Sequence, residues 1–276
     1  MNTKLTTLFA ALLVLAIGSI ASATSLSGNV MDDFSSYTPG ADAIYGQASG
    51  ATGPGVSSNA WQGNALYGPG GAGGSTCCLW PNFDVGSPGI GPFTGQALTS
   101  TSGPNWAEVT FLDTPIDEGI AIFKADMYSN NIGIGAMLAI VGQARDTTSA
   151  KIIGFRLDSA DNGTENYFQI SGTSGGNINL HVGDVPDSVA GLHIEATFDL
   201  TADTLTVAYT DLAGGSISGV AGPYAIPSDL DIEMWGGHAN SSNGNFGNFA
   251  LMPFVPEPSS LSLLGLGGLT MLRRRR

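Results

Sequence analysis

Hydrophobic and polar residues alternate with period two through the stretch HIEATFDLTADTLTVAYTD at 193–211. Ile194, Ala196, Phe198 and Leu200 fall on one side, and Glu195, Thr197 and Asp199 on the other. After the turn residues TAD, Leu205, Val207 and Tyr209 resume the apolar side. Successive side chains of a strand point to opposite faces, so this pattern predicts an antiparallel hairpin with one dry and one wet face. WAEVTFLD and GIAIFKADMYS alternate in the same way, and IGIGAMLAIVGQ is apolar enough for a strand buried on both faces. AKIIGFRLD leads into ENYFQIS through Asp161, Asn162 and Gly163, an Asn-Gly turn signal. Further strands are predicted at 231–235 and 245–252. Many short strands with no helical period between them predict an all-β fold, an antiparallel two-sheet jelly-roll sandwich. No repeat of about 20 to 50 residues is present, which argues against a propeller or solenoid.

Before Gly103 the pattern changes. SGATGPGVSSN and YGPGGAGGSTCC place Gly and Pro at spacings that no helix tolerates, with isolated apolar residues at Phe34, Tyr37, Trp61, Tyr67, Leu79 and Trp80. This predicts long loops pinned onto a sheet by aromatic anchors. The two ends are different again. Residues 1–23 carry Lys4, an apolar run over 8–21, and Ala21 and Ala23 in the A-x-A pattern of a secretory signal peptide, so Thr24 is the expected first mature residue. The apolar run is short for a permanent span, which needs about 20 residues. At the other end, residues 255–276 read VPEPSSLSLLGLGGLTMLRRRR. Their apolar part, 259–272, reaches roughly 21 Å as a helix against a hydrocarbon core of about 30 Å. Pro253, Pro256 and Pro258 block its extension backward. Arg273, Arg274, Arg275 and Arg276 favour the cytoplasmic side, leaving the rest of the chain outside. The expected organisation is therefore a signal helix at 1–23, a β-sandwich at 24–254, and a short C-terminal transmembrane helix within 255–276.

Charge narrows the partners. Only four basic residues (Lys124, Arg145, Lys151, Arg156) lie in 24–254 against 22 acidic ones, a net charge of −18. So acidic a body repels phosphate backbones, which excludes nucleic acid as a partner; it suits solubility outside the cell or attraction of divalent cations. Forty glycines oppose helices, since each costs about 1 kcal/mol in a helix interior relative to Ala. The adjacent Cys77 and Cys78 admit a strained vicinal ring, a bridge between chains, or free thiols. No C-x-x-C spacing supports a redox role.

Candidate chemistry is sparse. In DLDIEMW, Asp229, Asp231 and Glu233 alternate, so a regular strand would put all three carboxylates on one face. The outer two would lie about 13 Å apart, and neighbours would come within reach of the roughly 5 to 5.5 Å carboxyl separation of retaining glycosidases. Asp32 or Asp33 near the first strand and Asn245 or Asn248 near the last offer oxygen ligands for calcium if those strands pair. DSADNGTEN fails as a calcium loop because Ala160 occupies a ligand position. His181, His193 and His238 have no metal-binding spacing, and neither a G-x-S-x-G elbow nor a phosphate-binding loop occurs. Trp61, Trp80, Trp106 and Trp235 are either stacking platforms for sugar rings or buried anchors.

Three resemblances add to this reading. DDFSSYTPG at 32–40 and FGNFALMP at 246–253 resemble the opening and closing strands of concanavalin-A-like lectin, glucanase and carbohydrate-binding-module sandwiches, which implies that the first and last strands lie side by side. DLDIEMW resembles the carboxylate strand of laminarinase-like glycoside hydrolases, implying Glu233 as acid/base and Asp229 in the nucleophile's place, with Asp standing where that family has Glu. The tail is similar to the PEP-CTERM sorting signal in its three parts: Val255, Pro256, Glu257 and Pro258, then the Gly- and Leu-rich segment, then the four arginines. That resemblance implies recognition by an exosortase-type membrane protease, transfer to the surface or matrix, and association with exopolysaccharide. The expectation is an exported, sorted, non-enzymatic protein of the cell surface or extracellular matrix, with polysaccharide as its ligand and no cofactor unless calcium. The alternative is a secreted glycoside hydrolase.

Overall fold

The computed structural model describes residues 24–40, 44–61, 83–86, 95–100, 105–129, 137–142, 151–159, 165–184, 190–212, 218–239 and 244–254. The predicted signal and transmembrane helices, Cys77, Cys78, Trp80 and the 160–164 turn lie outside them. Among the described residues there are fourteen strands and no helix.

The strongest alternation forms the predicted hairpin. β10 (Ala190–Asp199) and β11 (Thr204–Asp211) pair antiparallel from Leu192 opposite Asp211 to Asp199 opposite Thr204. β5 (Ile120–Ser129) pairs with the other side of β10. Ala121, Phe123, Ala125 and Met127 of β5 are buried together with Leu192, Ile194, Ala196 and Phe198 of β10. Four further strands complete the path: β12 (Ser218–Ala225), β14 (Gly244–Pro253), β3 (Ala97–Ser100) and β2 (Phe83–Gly86). The order is β12-β11-β10-β5-β14-β3-β2. β1 (Val30–Asp32) also pairs with β14, Val30 opposite Leu251, so the first and last strands do lie side by side.

The second sheet contains β4 (Asn105–Thr110), β13 (Met234–Ala239), β6 (Met137–Gly142), β7 (Ile152–Ser159), β8 (Glu165–Thr173) and β9 (Gly176–Asp184), in the order β4-β13-β6-β7-β8-β9. The chain passes between the sheets at β3 to β4, β4 to β5, β5 to β6, β9 to β10, β12 to β13 and β13 to β14. Both sheets are antiparallel, and their inner faces share one aromatic core. Phe123 stacks on Phe155 at 6.1 Å, and Phe249 meets Phe34, Phe123 and Trp235. Trp235 lies flat on Phe111 at 3.8 Å. Trp61 and Trp235 are fully buried, so both are anchors and neither is a platform for sugar.

Three of the six predicted anchors of the loop-rich N-terminal part are in place, while Tyr67, Leu79 and Trp80 lie outside the described residues. Phe34, Tyr37 and Trp61 are buried, and a polar network ties them to β1. The Tyr37 hydroxyl donates to Asp32 Oδ2 at 2.5 Å and accepts from the Gly50 peptide N–H at 2.6 Å and from Trp61 Nε1–H at 2.7 Å. Asp32 Oδ1 accepts from the Phe34 N–H at 2.9 Å. The polar side-chain atoms of Asp32, Tyr37 and Trp61 are thus all used, as buried polar groups require.

The structure departs from the sequence pattern at strand edges. β13 starts at Met234, three residues later than predicted, because Asp229 sits in a turn and Ile232 makes only an isolated bridge with Ile116. β12 contains Gly219, Gly222 and Pro223 and reads as a loop; it survives as a strand because it is the sheet's edge, where Gly and Pro are tolerated.

Candidate functional site

The outer face of the larger sheet carries the polar residues that strand alternation turns away from the core. Register aligns them in rows. One row runs from Met31 of β1 through Ala250 of β14, Lys124 of β5, Glu195 of β10 and Ala208 of β11 to Val220 of β12. Five inter-strand steps make it about 24 Å long at about 4.8 Å each. Its two ends, Met31 and Val220, are exposed apolar side chains, and its centre is the Lys124–Glu195 ion pair at 2.6 Å. Both partners are about a third exposed, so this pair contributes at most about 1 kcal/mol to stability.

The next row contains a hydrogen-bonded polar constellation. Asp126 of β5 lies between Gly247 of β14 and His193 of β10. His193 Nδ1–H donates to Asp126 Oδ1 at 2.6 Å, and Asn248 Nδ2 donates to Asp126 Oδ2 at 2.6 Å. Asn248 reaches Asp126 because β14 bulges between Gly247 and Ala250, with Asn248 at φ 53°, a backbone conformation Asn tolerates better than most residues. A bulge re-aims a side chain, and here it turns an amide onto the carboxylate. The Asp126 side chain is largely covered while the His193 side chain is 39% exposed, so the carboxylate fixes the orientation of a partly exposed imidazole. An oriented imidazole, a carboxylate and a primary amide together offer donors and acceptors in fixed directions to vicinal hydroxyls.

The residues singled out in the sequence fall elsewhere. Asp229 is exposed in a turn and pairs with Lys151. Asp231 and Glu233 are half-buried in the extended segment before β13. The Glu233 peptide is locked into both neighbours: its N–H donates to the Gly142 carbonyl, and its carbonyl accepts from the Phe111 and Leu112 N–H groups. These three carboxylates therefore do not share a regular strand. Pairing of β1 with β14 does bring Asp32 opposite Phe249, next to Asn248, but Asp32 faces the core and Asn248 faces solvent. Both Asp32 oxygens are taken by Tyr37 and Phe34, Asp33 Oδ1 accepts from the Ser35 N–H, and Asn248 is engaged with Asp126. Asn245 is buried in β14 opposite Thr99, away from that end of β1. The four calcium candidates do not converge, and among the described residues no group of three or more His, Cys, Asp or Glu is placed to hold a metal ion. Asp126 and His193 escaped the sequence reading because 67 residues separate them. Their only advance signal is that each occupies a wet-face position of a strongly alternating strand.

Fold and outer face together define an antiparallel sandwich that presents a polar sheet face and is followed by a short tail. Residues 254–276 of that tail match the family described as the PEP-CTERM protein-sorting motif. The motif is recognised by exosortase, a membrane protease, and marks the chain as an exported, envelope-associated, sorted protein. No curated protein matches the chain by sequence. Solved structures of lectin-like jelly-roll type resemble it. Lectin II from Ulex europaeus is 10% identical, covers 83% of this chain and 99% of its own, and has a TM-score of 0.46. The globular domain of T. cruzi calreticulin is 12% identical over 76% and 90%, with a TM-score of 0.43. An alginate lyase variant in complex with alginate trisaccharide is 8% identical over 84% and 100%, also with a TM-score of 0.43. At these values none of them speaks for a ligand or an activity of this chain.

Proposed function

We propose that the tail delivers a non-enzymatic β-sandwich to the cell surface or extracellular matrix, where its larger sheet binds polysaccharide. The observation that supports binding is the Asp126–His193–Asn248 constellation, with the 24 Å scale row of Met31, Lys124, Glu195 and Val220 beside it. A polysaccharide chain presents hydroxyls in a repeating line together with apolar C–H faces. Fixed planar hydrogen-bonding groups flanked by exposed apolar side chains match that chemistry. The strong negative charge makes a neutral or cationic glycan a better partner than an acidic one, unless cations bridge the two.

The test is retention of the purified protein on immobilised glycans and on the host's exopolysaccharide. The expected result is binding that Asp126→Asn weakens about tenfold, the equivalent of one charge-assisted hydrogen bond. Equal retention of both proteins removes the assignment of the site. On a panel of β-glucans no turnover is expected. Turnover abolished by Glu233→Gln would replace this reading with a glycoside hydrolase using Asp229, Asp231 and Glu233.

A further inference from the structure

Thr24, the residue that follows the A-x-A pattern, is docked on the loop between β4 and β5. Its backbone N donates to Asp117 Oδ1 at 2.6 Å, and the Asp117 N–H returns a bond to the Thr24 carbonyl at 3.2 Å. Two residues farther along, Gly119 lies beside Ser25: a Cβ built on it would meet the Ser25 Cβ at 3.7 Å, an ordinary contact. The same loop holds the other end of the body, since the Phe254 N–H donates to the Ile120 carbonyl at 3.1 Å. Phe254 is the first residue of the sorting match. The loop is in turn braced by the β10–β11 turn: Leu200 N–H donates to the Gly119 carbonyl at 2.9 Å and Gly119 N–H to Thr201 Oγ1 at 3.0 Å.

We propose that Asp117 is the binding site for the α-ammonium group of mature Thr24, and that loop 117–120 is a clamp holding both ends of the body, Thr24 and Phe254, at one end of the sandwich. The proposal rests on the reading of residues 1–23 as a removed signal peptide. Hydrolysis of the Ala23–Thr24 bond adds one water: its oxygen goes to the Ala23 carboxylate, and the Thr24 nitrogen, once an amide, becomes an amine that takes up a proton. The N–H already aimed at Asp117 then carries a positive charge, so a neutral hydrogen bond becomes a charge-assisted one, which is about twice as strong. The charges on adjoining elements reinforce this. Glu118 stands in the same loop, and Asp199 and Asp203 flank the bracing turn. Removal of the signal peptide thus tightens the seam it leaves behind. With both on one loop, neither must cross the sandwich, a path of about 33 Å along the ten residues of β10. Thr24 and Phe254, the two ends of the body, are held at the same end of the sandwich.

Two measurements test this separately. N-terminal sequencing of the exported protein should begin at Thr24; another start removes the signal-peptide reading on which the clamp rests. In the chain Thr24–Arg276, kept soluble in detergent micelles, the α-amine is titrated by NMR after isotopic reductive methylation. Free α-amines titrate at about 7.7 to 8.0. The expected value lies about half a unit higher in the unmutated chain, the size an exposed ion pair supports, and returns to the free range in Asp117→Asn, an isosteric change that keeps the loop's hydrogen bonds. Identical titration of the two chains overturns the proposal whatever residue the exported protein begins with.

Discussion

Tyr37→Phe is expected to lower the thermal midpoint of the folded protein by roughly 10 °C. The substitution removes one oxygen atom from a site that stays otherwise filled, so packing is unchanged and the effect isolates the hydrogen bonds. Three groups lose their partner at once: the carboxylate of Asp32, the Gly50 N–H and the Trp61 Nε1–H. Asp32 and Trp61 are 2% and 1% exposed, so water does not replace the hydroxyl. Leaving a buried polar group unsatisfied costs about 1 to 3 kcal/mol each, and about 4 kcal/mol in all is a moderate sum for coupled groups. For a domain of this size each kcal/mol moves Tm by about 2 to 4 °C. Trp61→Phe, which withdraws only one donor to the same oxygen but also loses ring volume, separates the polar part from the packing part. A fall of less than about 2 °C in Tyr37→Phe would show that the loop-rich segment is not held by this network.

The same cluster sets a pH dependence. Burial pushes the Asp32 carboxyl up to about 6 from 3.8, against the lowering effect of its bonds from Tyr37 and Phe34, with Asp33 beside it adding to the rise. The native state therefore holds a proton over a range where the unfolded chain has released it. Stability from Asp32 is fully present below about 3.8 and is lost as pH rises through about 6, after which it is flat. The change across that window amounts to roughly 3 kcal/mol. Asp33, held below the usual range by Ser35, acts in the opposite sense at lower pH. The quantity to read is thus the difference in urea unfolding free energy between the unmutated protein and Asp32→Asn, measured from pH 4 to pH 8. It should shrink between pH 4 and 6 and hold constant beyond; a difference that grows with pH contradicts the burial account.

Most of the sandwich was legible wherever one strand face meets the core and the other meets water. Residues 193–211 and 120–129 are such cases, because burial of Phe198, Leu205 and Phe123 forces a period of two. Edge strands escaped for the complementary reason: β12 buries too little to impose a pattern, so its glycines and proline dominate the reading. The segment at 229–233 alternates without being a strand, since Leu230 and Ile232 are buried by a turn and a single bridge. The candidate site was legible only in its parts. His193 and Asp126 could be placed on wet faces, but their contact depends on the register of β10 against β5, and the Asn248 contact on a bulge 122 residues away from Asp126. The tail was read directly because its signal is local: the Pro-Glu-Pro, the apolar segment and the arginines follow one another in 22 residues.

That tail is the centre of the account, and intact-mass spectrometry of the protein recovered from the envelope and the medium tests it most directly. Sorting with processing near Pro256, Glu257 and Pro258 predicts a C-terminus close to residue 258 and the absence of Arg273, Arg274, Arg275 and Arg276 from the exported material. Exported protein that still ends at Arg276 would contradict it.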